Sequence, residues 1–304
     1  MSTASPTTGT SEQRLAPRRR SFGAWFADTG WRHLVAIVVS VFALFPLLYV
    51  VSASLNPKGT LTGSNQLFSA IGIDSYVRIL SDPQNPYGTW FLNTLLIAVV
   101  TGAVTVFIGA CAAYAFSRMR FAGRRVGLVT IVVVQMFPQL LAVVAIFLLM
   151  STLGDWFPAI GLNTHTGLIL VYLGGALGVN TYLMYGFFNT IPKEIDEAAR
   201  IDGAGHARIF FTIILRLVAP ILAVVGLLSF IGTVNEYVIA SVMLVDVDQQ
   251  TLVVGLTKLV ANPRYADWSA FSAGAVMAAI PVMILFLFLQ KYIVGGLTAG
   301  ATKG

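Results

Sequence analysis

Few residues in this chain are equipped for chemistry, and their spacing excludes most of it. The three histidines, His33, His165 and His206, stand far apart, with no H-E-x-x-H pair to hold a metal, and no G-x-S-x-G elbow presents a nucleophilic serine. No lysine follows a glycine, so the G-x-x-x-x-G-K-[ST] loop that cradles nucleotide phosphates is missing. The single Cys111 allows no intrachain disulfide. What remains is a set of polar groups inside apolar sequence. Glu236, beside Asn235, is a carboxylate in an apolar run. Such a group is a functional candidate by default, the alternatives being an interhelical partner or a protonated acid that only holds a bundle together. Gln135 and Asn180 are amides in similar surroundings, fitted either to join helices or to line a pathway.

The strongest concentration of charge is PKEIDEAARIDGAGHARIFFTIILRLVAP, residues 192–220, the only long polar interruption that itself reads as ordered helix. Asn189 and Thr190 offer N-cap oxygens, and Pro192 has the φ suited to a first helical position. Glu194, Asp196 and Glu197 crowd the first turns, where free N–H groups favour negative charge. Ile191, Ile195, Ala198 and Ala199 share one face, the charges occupy the other, and Gly203 after Asp202 is a stop. The alanines leave a surface that a second body can approach closely. A short helix of this kind is expected to dock a partner.

The elements around it are apolar. Of 304 residues 57% are hydrophobic and 11% charged, against about a quarter charged in a soluble domain, and the mean hydropathy is +0.80. The sequence predicts an all-α integral membrane protein with six spans near 34–55, 91–116, 127–150, 167–189, 218–244 and 271–294, each about the 20 residues a bilayer requires. Lys and Arg set the orientation. Arg14, Arg18, Arg19, Arg20 and Arg32 precede the first span; Arg118, Arg120, Arg124 and Arg125 follow the second; Lys193, Arg200, Arg208 and Arg216 follow the fourth; Lys291 and Lys303 close the chain. Only Lys58, Arg78, Lys258 and Arg264 remain for the other side. Both termini and the 192–220 stretch are therefore expected in the cytoplasm. The net charge of +6 then reflects topology, and no nucleic-acid partner is expected.

Residues 1–32 read as a disordered cytoplasmic tail and 33–304 as the membrane domain. PRRRSF at 17–22 has the look of a twin-arginine signal, but the apolar run beyond Trp31 exceeds the about 7–15 residues of a signal peptide. The loop 56–89 reads as a solvated external connector, and Trp156 and Phe157 in the external loop 151–166 as an interfacial anchor. Pro138 in QMFP (135–138) and Pro281 are expected to kink spans three and six. Gly174, Gly175 and Gly178 form a small-residue face. The external loop 245–270 mixes aromatic and hydrogen-bonding residues, a composition suited to a sugar or a protein, with Trp268 as an alternative interfacial anchor. The tail 295–304 is small-residue sequence without helical pattern. No internal repeat is visible, and neither cofactor nor metal is expected. Glu236 alone offers itself for ion coupling, so energy is expected from another subunit.

EAARIDGA at 197–204, with Phe210, Ile213, Leu215 and Pro220 downstream, resembles the EAA loop of permease subunits of binding-protein-dependent ABC importers. AYAFSRMRFAG at 113–123, QMFP, residues 153–175, PILAVVGLLSFI at 220–231, DQQTLVVGL at 248–256 and the ending QKYIVGGLTAGATKG extend the resemblance to the maltose/maltodextrin type over about residues 34–304. The resemblance implies a type I ABC importer permease, a non-catalytic subunit that pairs with a homologous second permease as a heterodimer. Two ATPase subunits and an extracytoplasmic sugar-binding protein complete the implied assembly. It implies that 190–216 is the coupling loop, with Glu197, Ala198, Ala199, Asp202 and Gly203 seated in an ATPase cleft. It further implies an ATPase-contacting tail (Thr298, Gly300, Lys303) and a binding-protein contact at Lys258, Asn262, Pro263 and Tyr265, and it assigns the membrane sugar site mainly to the partner permease. Arg216 stands where the family pattern often has proline. Outside this type the alternatives are a permease for trehalose or another oligosaccharide, an ion-coupled secondary transporter that works alone, and a membrane scaffold.

Overall fold

A computed structural model describes residue 23 and residues 26–57, 67–175 and 178–301, with residues 139 and 294–301 described by backbone alone. Lys58 and Lys303 lie outside the described residues. Among those described there is no strand, as expected where a solvent without hydrogen-bonding groups forces every peptide to find its partner within its own helix.

The chain divides into two units at Tyr49/Val50. The first holds a π-helical turn, Phe26–Gly30, and most of α1 (Trp31–Ser54), which carries Pro46 internally. Its apolar residues from Leu34 to Leu48 are exposed on all sides, Phe42 by 81%. A helix that is hydrophobic all round is suited to lipid.

The second unit is built on one helix. After α2 (Asp74–Ser81), α3 runs unbroken from Tyr87 to Arg118. At 1.5 Å per residue its 32 residues reach about 48 Å, beyond the roughly 30 Å hydrocarbon core. Each of the three buried apolar clusters includes α3 side chains: Tyr87 and Trp90 at one end, Ile97 in the middle, Ala110, Ala113 and Tyr114 at the other. Gly102 and Gly109 let α3 lie close to its neighbours, since a Cβ on Gly109 would stand 3.2 Å from Met184 Sδ.

The helices around α3 are bent. α4 (Arg124–Gln135) and α5 (Gln139–Trp156) meet at 98°, α6 (His165–Gly174) and α7 (Val179–Phe188) at 55°, and, beyond α8 (Glu194–Ile201), α9 (His206–Leu217) and α10 (Ala219–Asn235) at 78°. Pro138 explains the first bend, because it lacks an N–H and its ring collides with the carbonyl one turn back. Pro220, in the first turn of α10, accompanies the third. α11 (Val238–Met243), α12 (Leu252–Ala261) and α13 (Trp268–Ala301) complete the chain. Three helices are long and apolar enough to cross a membrane, Phe26–Ser54, Tyr87–Arg118 and Trp268–Ile293, and up to six spans result if each bent pair counts as one.

Three expectations are corrected. The segment 245–270 is largely ordered helix: LVVGLTKLVA forms α12, whose Leu252, Val254, Gly255 and Leu256 are buried, leaving a tip at Asn262–Tyr265. The C-terminal region continues the backbone of α13 through Ala301 despite Gly295, Gly296 and Gly300, each of which disfavours helix. Pro281 lies within α13. Gly174 faces open space, so only Gly175 and Gly178 of the glycine face meet a neighbour.

Candidate functional site

The α8–α9 hairpin is ordered by two devices. Ala204 N donates to Ala199 O and Gly203 N to Arg200 O, both at 2.9 Å, which closes the helix in a Schellman motif with Gly203 at φ +80°. Nothing lies within 4 Å of a Cβ built on Gly203, so the left-handed backbone alone demands glycine. Gly203→Ala is expected to cost the hairpin about 1–2 kcal/mol, and Gly203→Asn less, because asparagine tolerates this region. Thermal unfolding of the two variants checks the order, and a Gly203→Ala protein as stable as the parent would remove the argument.

The N-terminal cap differs from expectation. α8 begins at Glu194 without a side-chain cap, and Pro192 lies outside it. Thr190 Oγ1 and Asn189 Nδ2 donate backward to Phe187 O and Tyr185 O, closing α7 instead. Both residues follow α7 directly, so its free carbonyls are nearer than the N–H groups of α8.

α8 has two faces. Glu194, Glu197, Ala198 and Ile201, spaced i, i+3, i+4, i+7, all point to solvent, Ile201 with 88% exposure. Inward lie Ile191, Ile195, Ala199 and, against expectation, Asp196. Asp196 is buried because Arg118, the last residue of α3, meets it: Nε stands 2.8 Å from Oδ2, with side-chain exposures of 2% and 4%. Arg118 Nη2 also donates to Ile191 O at 2.9 Å. Ala198, expected to share the face of Ile195 and Ala199, lies on the outer face instead, one position round the helix from the buried Ala199, and Asp202 is exposed at the turn. The outer stripe is thus acidic at its start, flat in its middle and apolar at its end, on a base fixed to α3. Sequence spacing cannot reveal Arg118, which lies on another element, whereas Ile201 is within its reach, one turn beyond Glu197 and Ala198.

Gln135 and Glu236 each join two broken helix ends. Gln135 Nε2 donates to Gly175 O and its Oε1 accepts from Val179 N at 3.0 Å, so one amide serves both broken ends of α6 and α7. A Cβ on Gly178 would fall on that amide. Glu236 sits in the break between α10 and α11, where its carboxylate accepts from Ile239 N (2.9 Å), Ala240 N (3.0 Å) and Tyr172 Oη (2.7 Å). Asn235 bonds its own helix at Ile231 O. Asn180 and Glu236 border a cavity of about 320 Å³ with Thr101, Thr105, Tyr172, Ser229 and Thr233. Hydroxyls dominate its polar lining. α3 and α10 contribute those from Thr101, Thr105, Ser229 and Thr233, none of which stands out in sequence.

At the far end of α3, Lys258 and the tip residues Asn262, Pro263 and Tyr265 are exposed, Tyr265 by 78%. The tip is held by Arg264 N on Asn262 Oδ1, Asp267 N on Leu259 O, and an Arg78–Asp267 ion pair at 3.1 Å. Thr298 and Gly300 belong to the helical backbone of α13; their side chains and Lys303 lie outside the described residues. Among the described residues no group of His, Cys, Asp and Glu is placed to hold a metal.

An all-helical chain of long apolar helices, interrupted by a short charged hairpin, has the build of a membrane transport component. It belongs to the family of binding-protein-dependent transport system inner membrane components, whose model matches residues 105–298. It is 38% identical over 272 residues to the maltodextrin transport system permease protein MdxG of Bacillus subtilis, covering 90% of this chain and 95% of that one. To the galactooligosaccharides transport system permease protein GanQ of the same organism it is 39% identical over 273 residues, 90% of this chain and 94% of that one. Among solved structures it matches a chain of a bacterial ABC transporter involved in the import of the acidic polysaccharide alginate, with a TM-score of 0.72 and 29% identity over 90% of this chain and 98% of that one.

Proposed function

We propose that this chain is one half of the membrane path of an ATP-driven importer of maltose and maltodextrins. In this reading it crosses the cytoplasmic membrane six times with both termini inside, α4–α5, α6–α7 and α10–α11 each serving as a single span beside α1, α3 and α13. A homologous second permease completes the path, two separate ATPase subunits hydrolyse ATP, and an extracytoplasmic binding protein delivers the sugar to the Asn262–Tyr265 tip. The observation that carries the reading is the outer stripe of α8, with a fully formed C-terminal cap, an exposed Ile201 and no covering element of its own. Such a face is built to be covered. The hydroxyl-lined cavity supports a path for polyols through this subunit. The tail Thr298–Lys303 is proposed to reach the ATPase interface.

The likeness to MdxG supports maltodextrin, while equal likeness to GanQ supports galacto-oligosaccharides as the second reading. Reconstituting the chain with its second permease, its ATPase and its binding protein, and measuring ATP-dependent uptake of maltose, maltotriose and galactobiose, separates them. Uptake of galactobiose alone would replace the first reading by the second. Uptake by this chain without the ATPase would overturn both.

Glu236 provides a further test. Three donors already occupy its carboxylate, which supports a joint and leaves little capacity for a transported ion. Glu236→Gln retains one acceptor oxygen, so a stability loss of about 1.5–3 kcal/mol is expected, the value of hydrogen bonds to a charged group, with uptake per assembled complex preserved. Abolished uptake in a fully assembled, stable complex would instead favour ion coupling.

A further inference from the structure

Resting on the reading of α8 as the docking helix, we propose that α3 is a rod that links the docking hairpin to the segment facing the binding protein, and that Arg118 is the positioning residue that fastens the hairpin to it.

Three observations carry this. The first is the joint at the hairpin end. Arg118 holds Asp196 and the Ile191 carbonyl together, one on α8 and one just before it, and so grips the helix and its entry in a single orientation. A buried ion pair is weak evidence for stability, since apolar side chains of the same volume hold a fold as well or better. What the guanidinium adds is reach to two elements at once, a hydrogen bond from Nη2 to Ile191 O and an ion pair of Nε with Asp196. Nor does the pair fill a packing gap, because it borders a cavity of about 520 Å³ that Arg120, Lys193 and Glu197 also line. Tyr114 of α3 packs on Phe210 of α9 with ring centroids 5.0 Å apart, so the second helix of the hairpin is fixed to the same end.

The second observation is the joint at the opposite end. Trp90 Nε1 donates to Val247 O at 2.7 Å, and Asn93 Nδ2 to Asp248 O and Gln250 O at 2.8 and 3.0 Å. Thr94 Oγ1 accepts from Leu252 N at 2.7 Å. The segment leading into α12 therefore hangs from three side chains at one end of α3.

The third is what lies between. α3 is continuous from Tyr87 to Arg118 and contains no proline, while the neighbouring pairs bend by 55°, 78° and 98°. A continuous helix delivers a displacement at one end to the other, where a broken one absorbs it. Thr101 and Thr105 place this rod along the polar cavity, so its movement alters the path itself. The sugar-loaded binding protein at one end and the ATPase at the other would then be coupled reciprocally through one element.

The test uses the complete reconstituted importer with maltose-loaded binding protein. Arg118→Met combined with Asp196→Leu removes both charges without stranding either. The expected result is full co-purification of all subunits and retained basal ATP hydrolysis, with stimulation by the loaded binding protein reduced roughly 5–150-fold, the span of allosteric couplings. Arg118→Lys keeps a charge for Asp196 without the second donor on Ile191 O, and is expected to recover part of the stimulation. Asn93→Ala, at the opposite end of the rod, is expected to reduce stimulation with the hairpin untouched. Full stimulation in the double variant overturns the proposal, as does its failure to assemble, which would make the pair a folding element only. A Glu197→Lys importer that is fully stimulated would instead remove the docking reading itself.

Discussion

Glu197→Lys is expected to abolish ATP-driven uptake while the chain still inserts, folds and pairs with its second permease. The side chain is exposed on the outer face of α8, at the rim of the cavity beside Arg118, and is not part of the buried core. α8 as a whole carries its acids in the first turn, and Glu197 lies between Glu194 and the flat patch at Ala198. In a closed interface with a basic partner, losing one member of a buried charge pair costs about 2–5 kcal/mol, and reversal of sign adds repulsion. At 1.4 kcal/mol per factor of ten this weakens docking by roughly 30- to several thousand-fold. Ile201→Ser is the companion variant, expected to cost the interface about 1.5–3 kcal/mol, the value of fully burying such a side chain. Co-purification of the ATPase, followed by uptake in cells, measures both effects. Normal uptake by the Glu197→Lys strain would show that this face is not the coupling surface.

How much of this site is legible in the sequence depends on how far apart its parts lie in the chain. The outer stripe and its glycine stop follow from local spacing, since i, i+3, i+4 and i+7 neighbours and a positive-φ turn are properties of one element. The inward fate of Asp196 does not, because its partner Arg118 belongs to α3 and counts in sequence as one more positive charge at a span end. The apolar spans are legible because composition alone places them in lipid. Their breaks are only partly so: Pro138 announces its bend, but the role of Gln135 requires knowing that the α6–α7 break lies opposite it. Glu236 illustrates the same point, for an isolated carboxylate in apolar sequence is ambiguous until the break it caps is seen. α12 escapes for a different reason. Its ten residues are too few for a span and are flanked by Asp, Gln, Asn and Arg, so polarity at the ends outweighs the helix in the middle.

Gly255→Ala is the second substitution expected to have a large effect, and here two principles give opposite signs. Alanine is better than glycine inside a helix by about 0.8–1.0 kcal/mol, so propensity alone predicts that α12 is stabilised. Packing predicts the reverse. A Cβ on Gly255 would stand 2.2 Å from Trp90 Cε3 and 2.3 Å from Cδ2, well inside contact distance. The obstacle is the fused ring of a side chain with 0% exposure that is also pinned by its indole N–H on Val247 O, so it has nowhere to swing. Overpacking of this kind costs about 1–3 kcal/mol or more, and displacing the indole forfeits a further hydrogen bond of about 0.5–1.5 kcal/mol. The sum exceeds the gain in propensity, so the variant is expected to be destabilised by about 1–3 kcal/mol, with α12 lifted from α3. Lower thermal stability and faster proteolysis of the 245–267 segment in the purified complex are the expected readings. Combining Gly255→Ala with Trp90→Leu, which empties the ring's volume, should recover part of the loss relative to Trp90→Leu alone. A Gly255→Ala complex as stable as the parent would mean that α12 slides freely on α3, and the close contact at Trp90 would no longer account for the glycine.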